Sequence, residues 1–237
     1  MMHLELTPRL RAVAELVPLG AALADIGTDH AYLPVWLLLQ GRVRKAIAAD
    51  LRQGPLDRAR LTARQHECNN GISFRLCDGL AQIGADEVDT IVVAGMGGET
   101  IAAILEAASW TRHERYTLIL QPMSAQPELR SWLWRNGFEI RKEEIIREGD
   151  KLYNILVASF GNPTPMTLGE EWAGKQSREL VQPEREEYLT RLLEKTERAV
   201  TGISRGKSEE NSQRLNEAIR VRDALVKMKE EWDAWQR

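Results

Sequence analysis

Leu23-Ala24-Asp25-Ile26-Gly27-Thr28-Asp29-His30-Ala31-Tyr32-Leu33-Pro34 is a short apolar run that turns through Asp25, Gly27 and Asp29 into a second apolar segment. That pattern reads as strand, loop and helix. In an open parallel sheet ligands bind outside the carboxyl ends of the strands, and a glycine in the first turn lets the backbone approach them closely. A dinucleotide fingerprint requires G-x-G-x-x-G, yet Asp29 stands two places after Gly27 and Tyr32 three further on. A pyrophosphate is therefore disfavoured, and with it a nicotinamide-dependent dehydrogenase. Two carboxylates at this turn repel phosphates and suit a ligand with an ammonium, a ribose diol and a sulfonium, which describes S-adenosylmethionine. The plainer alternative is that Asp25 and Asp29 cap the helix beginning near Ala31.

Working outward, Ala46 to Ala49 is a small apolar strand ending in Asp50, 23 residues after Gly27. An acid at the end of the second strand accepts hydrogen bonds from ribose hydroxyls in nucleoside-binding α/β domains; a helix cap for the segment that follows is the alternative. Ile72, Phe74 and Leu76 alternate with polar residues as a third strand, ending at Cys77-Asp78-Gly79. Asp78 is placed to accept an exocyclic amine of adenine, with Gly79 allowing close approach, unless the pair simply forms a turn. Val88 to Ala94 is a strand buried on both faces, and it empties into Gly95-Met96-Gly97-Gly98, more glycine than a turn requires. Tyr116 to Leu120 is the fifth strand, with Gln121-Pro122 as its abrupt end. Phe138–Ile146 and Leu152–Phe160 are joined too briefly for a crossover and pair as an antiparallel hairpin. The expected fold is therefore α/β: a class I Rossmann-like methyltransferase sheet, parallel with a C-terminal antiparallel hairpin.

Upstream, Leu6, Leu10, Val13, Ala14 and Val17 are spaced as an amphipathic helix within Met1–Pro18, with Arg9 and Arg11 on its polar side. Downstream, Asn162-Pro163-Thr164-Pro165 reads as a linker into a charged helical tail. Two domains are expected, residues 1–160 and residues 161–237. In the tail Leu189, Leu192, Thr196, Ala199 and Ile203 form a heptad-like seam that Gly202 and Gly206 interrupt. Leu215, Ala218, Ile219, Leu225, Met228, Trp232 and Trp235 form a less regular stripe, so the two helices are expected to fold back as a coiled-coil hairpin. From Met166 onward 14 Lys plus Arg face 15 Asp plus Glu, the interspersed pattern of a solvated face.

Composition excludes little but bounds the rest. The 237 residues are 43% hydrophobic with a net charge of −3, and no apolar run nears the ~18 residues of a membrane helix. A cytoplasmic protein with no membrane association is expected, a monomer favoured over an oligomer. Cys68, Cys77 and four scattered histidines make neither a disulfide framework nor a metal set, so no metal is expected.

Asp25 to Pro34, Ala94 to Gly98 and Leu118-Ile-Leu-Gln-Pro122 together resemble the bacterial tRNA (adenine(22)-N1)-methyltransferase family, over residues 1–160. The resemblance implies a Rossmann-like domain that binds S-adenosylmethionine, a C-terminal coiled coil that aids tRNA binding, and methylation of adenine N1 in the tRNA D-arm. Carried over residue by residue, Asp25, Gly27, Asp29 and His30 line the methionine and ribose side, Asp50 the ribose, and Asp78 and Gly79 the adenine. Ala94, Gly95 and Met96 complete the cofactor site. Gly97, Gly98, Gln121 and Pro122 face the target base, and Ala94 to Gly97 stand in place of the Asn/Asp-Pro-Pro-Tyr loop of many methyltransferases. Asp29 is the candidate catalytic carboxylate, set to stabilise the charge that grows on the base, with cofactor binding alone as its other role. Two rivals stand beside this reading: a methyltransferase of a small molecule or protein, and a non-catalytic cofactor-binding module whose tail is an interaction arm.

Overall fold

The computed structural model describes residues 4–179, 182–204 and 209–236. The chain divides into two compact units, Met1–Thr164 and Pro165–Arg237. The first is built on a seven-stranded sheet in the order β3-β2-β1-β4-β5-β7-β6. Its strands are β1 (Ala21–Ile26), β2 (Val43–Asp50), β3 (Ile72–Leu76), β4 (Thr90–Gly97), β5 (Thr117–Ser124), β6 (Phe138–Glu148) and β7 (Lys151–Phe160). Strands β1 to β5 are parallel, and β7 runs antiparallel to both β5 and β6. The cause is local: Gly149, at φ 59°, and Asp150 are the whole connection between β6 and β7, and two residues can join only antiparallel neighbours.

The helices α1 (Pro8–Leu16), α2 (Tyr32–Leu39), α3 (Gln53–Gln65), α4 (Gly98–Ala107) and α5 (Gln126–Arg135) cover both faces. Alternation along the central strands sorts the core in two. Ala24, Ile91, Val93, Leu118 and Leu120 pack with Ile101, Leu105, Leu129 and Leu133 of α4 and α5. Leu23, Val92 and Ile119 pack with Val13, Val35, Leu37 and Ala59 of α1, α2 and α3. Each fully buried Leu or Ile contributes about 1.5–3 kcal/mol relative to exposure.

Several boundaries differ from the sequence reading, two of them near the cleft. The first helix starts at Pro8, because the Thr7 hydroxyl accepts from Leu10 N and proline fits the first helical turn. Strand β5 continues through Gln121 and Pro122 to Ser124. Proline lacks an N–H, but Pro122 sits where the β4–β5 register slips, opposite Met96, and an irregular ladder end tolerates the missing donor.

The second unit holds α6 (Leu168–Ala173), α7 (Arg185–Ile203) and α8 (Glu209–Trp235). A capping box starts α6, with Thr167 and Glu170 each bonding the other's backbone N–H. Lys229 Nζ lies 3.7 Å from Glu186, so the first turn of α7 meets the end of α8 and the two run antiparallel. On α7 the inward positions are Leu189, Leu192, Thr196, Val200 and Ile203. Ala199 is exposed, and Gly202 lies inside the helix rather than ending it; Gly206 falls outside the described residues. On α8 the buried Val221, skipped by the sequence reading, completes a regular four-three stripe with Leu225, Met228, Trp232 and Trp235.

Candidate active site

The carboxyl ends of β1, β2, β3 and β4 carry the expected residues. Gly27 follows β1 at φ 74°, a left-handed conformation that costs glycine nothing. A methyl group on it would lie 2.2 Å from Met96 Cε, so the missing side chain leaves room for the tip of Met96. Asp29 and Ala31 are left-handed too, at φ 44° and 55°. An alanine held there stores roughly 1 kcal/mol or more of strain, the kind that collects at ligand sites.

Asp25 is buried at the end of β1, and its Oδ2 accepts a 2.5 Å hydrogen bond from the Thr28 hydroxyl. Burial pushes its carboxyl up from 3.8 to about 6; the Thr28 hydrogen bond opposes the rise and the nearby negative Asp50 adds to it. Asp50, only 8% exposed at the end of β2, accepts from Arg52 N at 2.8 Å. It is not the cap of α3, whose N-cap is Arg52 and carries no side-chain cap bond. Asp29 is exposed, ion-paired with Arg58, and 3.8 Å from His30 Nε2. The Arg58 pair offsets part of its charge.

Two cavities open beside these residues. One, of about 290 Å³, is lined by Arg9, Asp25, Thr28, Asp29, His30 and Gly95 among others, with Gly27 and Ala94 in its wall. The other, of about 790 Å³, lies between the Asp78-Gly79-Leu80 turn and α4, where Glu99, Thr100 and Ile104 face it. The Asp78–Gly79 pair is thus both a turn, with Gly79 at φ 52°, and a cavity wall. Carboxylates, a hydroxyl and apolar side chains around these spaces fit a zwitterionic, ribose-bearing, adenine-bearing molecule. Among the described residues no group of three or more His, Cys, Asp or Glu is arranged to hold a metal, and no helix is long and apolar enough to cross a membrane.

The residues expected at the target base are arranged differently. Gln121 is fully buried; its Oε1 accepts from Gly95 N at 3.1 Å and from Arg9 Nη1 at 2.6 Å, and its Nε2 donates to Pro122 O at 3.0 Å. Pro122 is buried beside it. Gln121 therefore holds the Gly95 backbone, and neither residue lines either cavity. Gly98 is also buried, and a methyl group there would come 2.2 Å from the Ala125 carbonyl, so it permits close packing of α4 on the β5–α5 junction. Gly97 is half-buried, with Ser124 Oγ 3.2 Å from where its Cβ would stand. Because backbone cannot yield as a side chain tip can, Gly98→Ala is expected to destabilise the protein by at least about 1–3 kcal/mol. A thermal melt within 1 °C of the parent would contradict this.

Arg9 is the residue that the sequence concealed. Its N–H donates to Glu148 Oε2 at 3.0 Å, its guanidinium lies over the Tyr153 ring at 5.4 Å, and it lines the cleft itself. Helix periodicity assigned it to a polar face; only the docking of α1 near the β6–β7 turn makes that face a cleft wall. Thr28 was legible in principle, lying three places after Asp25 within the same turn.

Residues 6–156 match a family model described as a methyltransferase domain. The tRNA (adenine(22)-N(1))-methyltransferase of Bacillus subtilis strain 168 is 41% identical over 162 residues, 68% of this chain and 68% of that protein. The crystal structure of the B. subtilis m1A22 tRNA methyltransferase TrmK superposes with a TM-score of 0.88 at 33% identity, covering 96% of this chain and 100% of that one. A putative tRNA (m1A22) methyltransferase of Streptococcus pneumoniae, in complex with S-adenosyl-L-methionine, superposes with a TM-score of 0.83 at 32% identity, covering 95% and 100%.

Proposed function

The chain belongs to the tRNA (adenine(22)-N1)-methyltransferase family, and on that footing we propose that it methylates N1 of adenine 22 in tRNA with S-adenosylmethionine as donor. The observation that carries the reading is buried Asp25 in the wall of the cleft after β1, with the Asp50 carboxylate near enough to raise its pKa, and the Asp78–Gly79 turn in the wall of a second cavity. When bound, the cofactor supplies a methyl group activated by a sulfonium. Asp25 with the Gly27 turn and His30 would hold its methionine and ribose side, Asp50 the ribose, and Asp78 and Gly79 the adenine.

Adenine N1 carries an in-plane lone pair at neutral pH, so no residue has to remove a proton. What the chain contributes is position, and near-attack alignment is worth about 7–11 kcal/mol in favourable cases. Because N1 is engaged in base pairing within a duplex, the target nucleotide must be unpaired or extruded, at a cost of a few kcal/mol. Asp29, at the cleft rim, supplies a negative charge near a base that becomes cationic. The helical unit would add contacts to phosphates and folded RNA shape, since one base cannot select a tRNA.

Incubation with labelled cofactor and unmodified tRNA, followed by mapping of the label, is expected to mark N1 of adenine 22. Label on another molecule or position, with none there, would return the reading to a methyltransferase of other substrates. With no base to titrate, the single-turnover rate is expected to be flat between about pH 6.5 and 8.5; a tenfold rise per pH unit across that window would contradict the mechanism.

A further inference from the structure

The loop after β1 leaves two rings standing in the smaller cleft. His30 and Tyr32 stack nearly parallel, with centroids 5.0 Å apart and planes 9° from each other. Both belong to the wall that also carries Asp25, Asp29, Ala94 and Gly95. The two rings are brought together by the backbone itself, because Asp29 and Ala31, on either side of His30, are both left-handed. Tyr32 remains 42% exposed, while Leu33, Val35, Trp36 and Leu37 behind it are buried. A large aromatic surface thus stands in the wall of a polar cleft, supported from one side by a second ring. Neither ring is needed for the core, and the residues expected at the target base are partly withdrawn: Gln121, Pro122 and Gly98 are buried and line neither cavity.

We propose that Tyr32, backed by His30, is the stacking platform for the extruded target adenine, and so positions its N1 for methylation. The inference rests on the function proposed above and adds to it the contact that holds the base. An adenine out of its helix loses its stacking neighbours, and an aromatic face restores them whatever the base's polar edges do. The platform also acts during the reaction. As N1 gains a methyl group the base becomes cationic, and an electron-rich phenol face attracts a cation more than a neutral ring. Tyr32 therefore holds the reacting state more tightly than the ground state, which is what a rate effect requires.

The test compares Tyr32→Leu with Tyr32→Phe in the full chain. Because Tyr32 is exposed, both variants are expected to melt close to the parent. With cofactor and tRNA saturating, the single-turnover rate of Tyr32→Leu is expected to fall tenfold or more, while Tyr32→Phe stays within about threefold, since a face suffices. Cofactor affinity by titration calorimetry is expected to change less than twofold in both. A Tyr32→Leu rate within twofold of the parent would overturn the proposal, as would a Tyr32→Phe loss equal to that of Tyr32→Leu, which assigns the role to the hydroxyl. Cofactor affinity that falls in step with the rate would place Tyr32 at the cofactor instead. If the parent itself leaves adenine 22 unmethylated, the proposed function fails, whereas an active parent indifferent to Tyr32→Leu refutes the platform alone.

Discussion

Asp25→Asn is expected to make the protein more stable and its cofactor binding weaker. The folded state raises the Asp25 carboxyl from 3.8 to about 6, chiefly through burial. The native protein therefore holds this proton more tightly than the unfolded chain does. Stability associated with the group is complete below about pH 4 and is lost as pH rises through about 6. Each pH unit between the two values is worth about 1.4 kcal/mol, so the ionised carboxylate costs the folded protein about 3 kcal/mol at neutral pH. Asparagine retains an acceptor for the Thr28 hydroxyl, now 2.5 Å away, without the buried charge. The melting temperature at pH 7.5 is expected to rise by about 4 °C or more.

The same substitution removes the charge that a cationic ligand would meet. Charged hydrogen bonds contribute about 1.5–3 kcal/mol, so affinity for S-adenosylmethionine is expected to fall at least tenfold by calorimetry. In the parent, affinity is expected to drop as pH falls below about 6, where Asp25 takes up its proton, and the Asn variant is expected to lose that slope. A variant that neither melts higher nor binds more weakly would mean that Asp25 is a structural carboxylate and not part of the cofactor site. A stabilising substitution that harms binding is the ordinary trade at a functional site.

A chain ending at Thr164, where the first compact unit ends, is expected to keep its cofactor affinity within about twofold and to lose tRNA affinity and methylation at least tenfold. RNA helices are recognised largely through backbone and shape, and each phosphate neutralised by a basic side chain releases counterions. The shortened chain is therefore expected to show a shallower dependence of tRNA affinity on salt. For such contacts the sequence offers Arg178, Arg185, Arg205, Lys207, Arg214 and Arg222, and the structure separates those that it describes. Arg185 is only 1% exposed; it donates to the carbonyl oxygens of Ala173 and Gly174 and to Gln176 Oε1. It stabilises the helical unit and is out of reach of a phosphate. Arg222 is half-buried and paired with Asp223, whereas Arg178 and Arg214 are exposed; Arg205 and Lys207 lie outside the described residues. Full methylation by the shortened chain would make the helical unit a stabilising or self-associating element.

The local pattern was largely legible. Short apolar runs marked the central parallel strands and alternation marked the third, periodicity of 3.6 marked the helices, and the acids at positions 25, 50 and 78 stood at strand ends because polar residues interrupt apolar runs there. The two-residue turn at Gly149-Asp150 required an antiparallel pair, and the absence of a second glycine at position 29 disfavoured a dinucleotide. These features depend on neighbours in the chain, so the chain alone determines them.

Tertiary structure decided where each polar group points and what it meets. Gln121 and Arg9 are 112 residues apart and join only because β5 and α1 pack together. Nothing local distinguishes a glutamine that faces a ligand from one that accepts two buried donors, nor an arginine in water from one that satisfies the carbonyls ending α6. The pKa of Asp25 is likewise set by burial, and the stacking of His30 on Tyr32 by two left-handed residues, one of them an alanine that propensity does not favour there. The physical reason is the same throughout: hydrophobic pattern is a property of short segments, whereas desolvation, hydrogen-bond partners and cleft walls are properties of segments brought together by the fold.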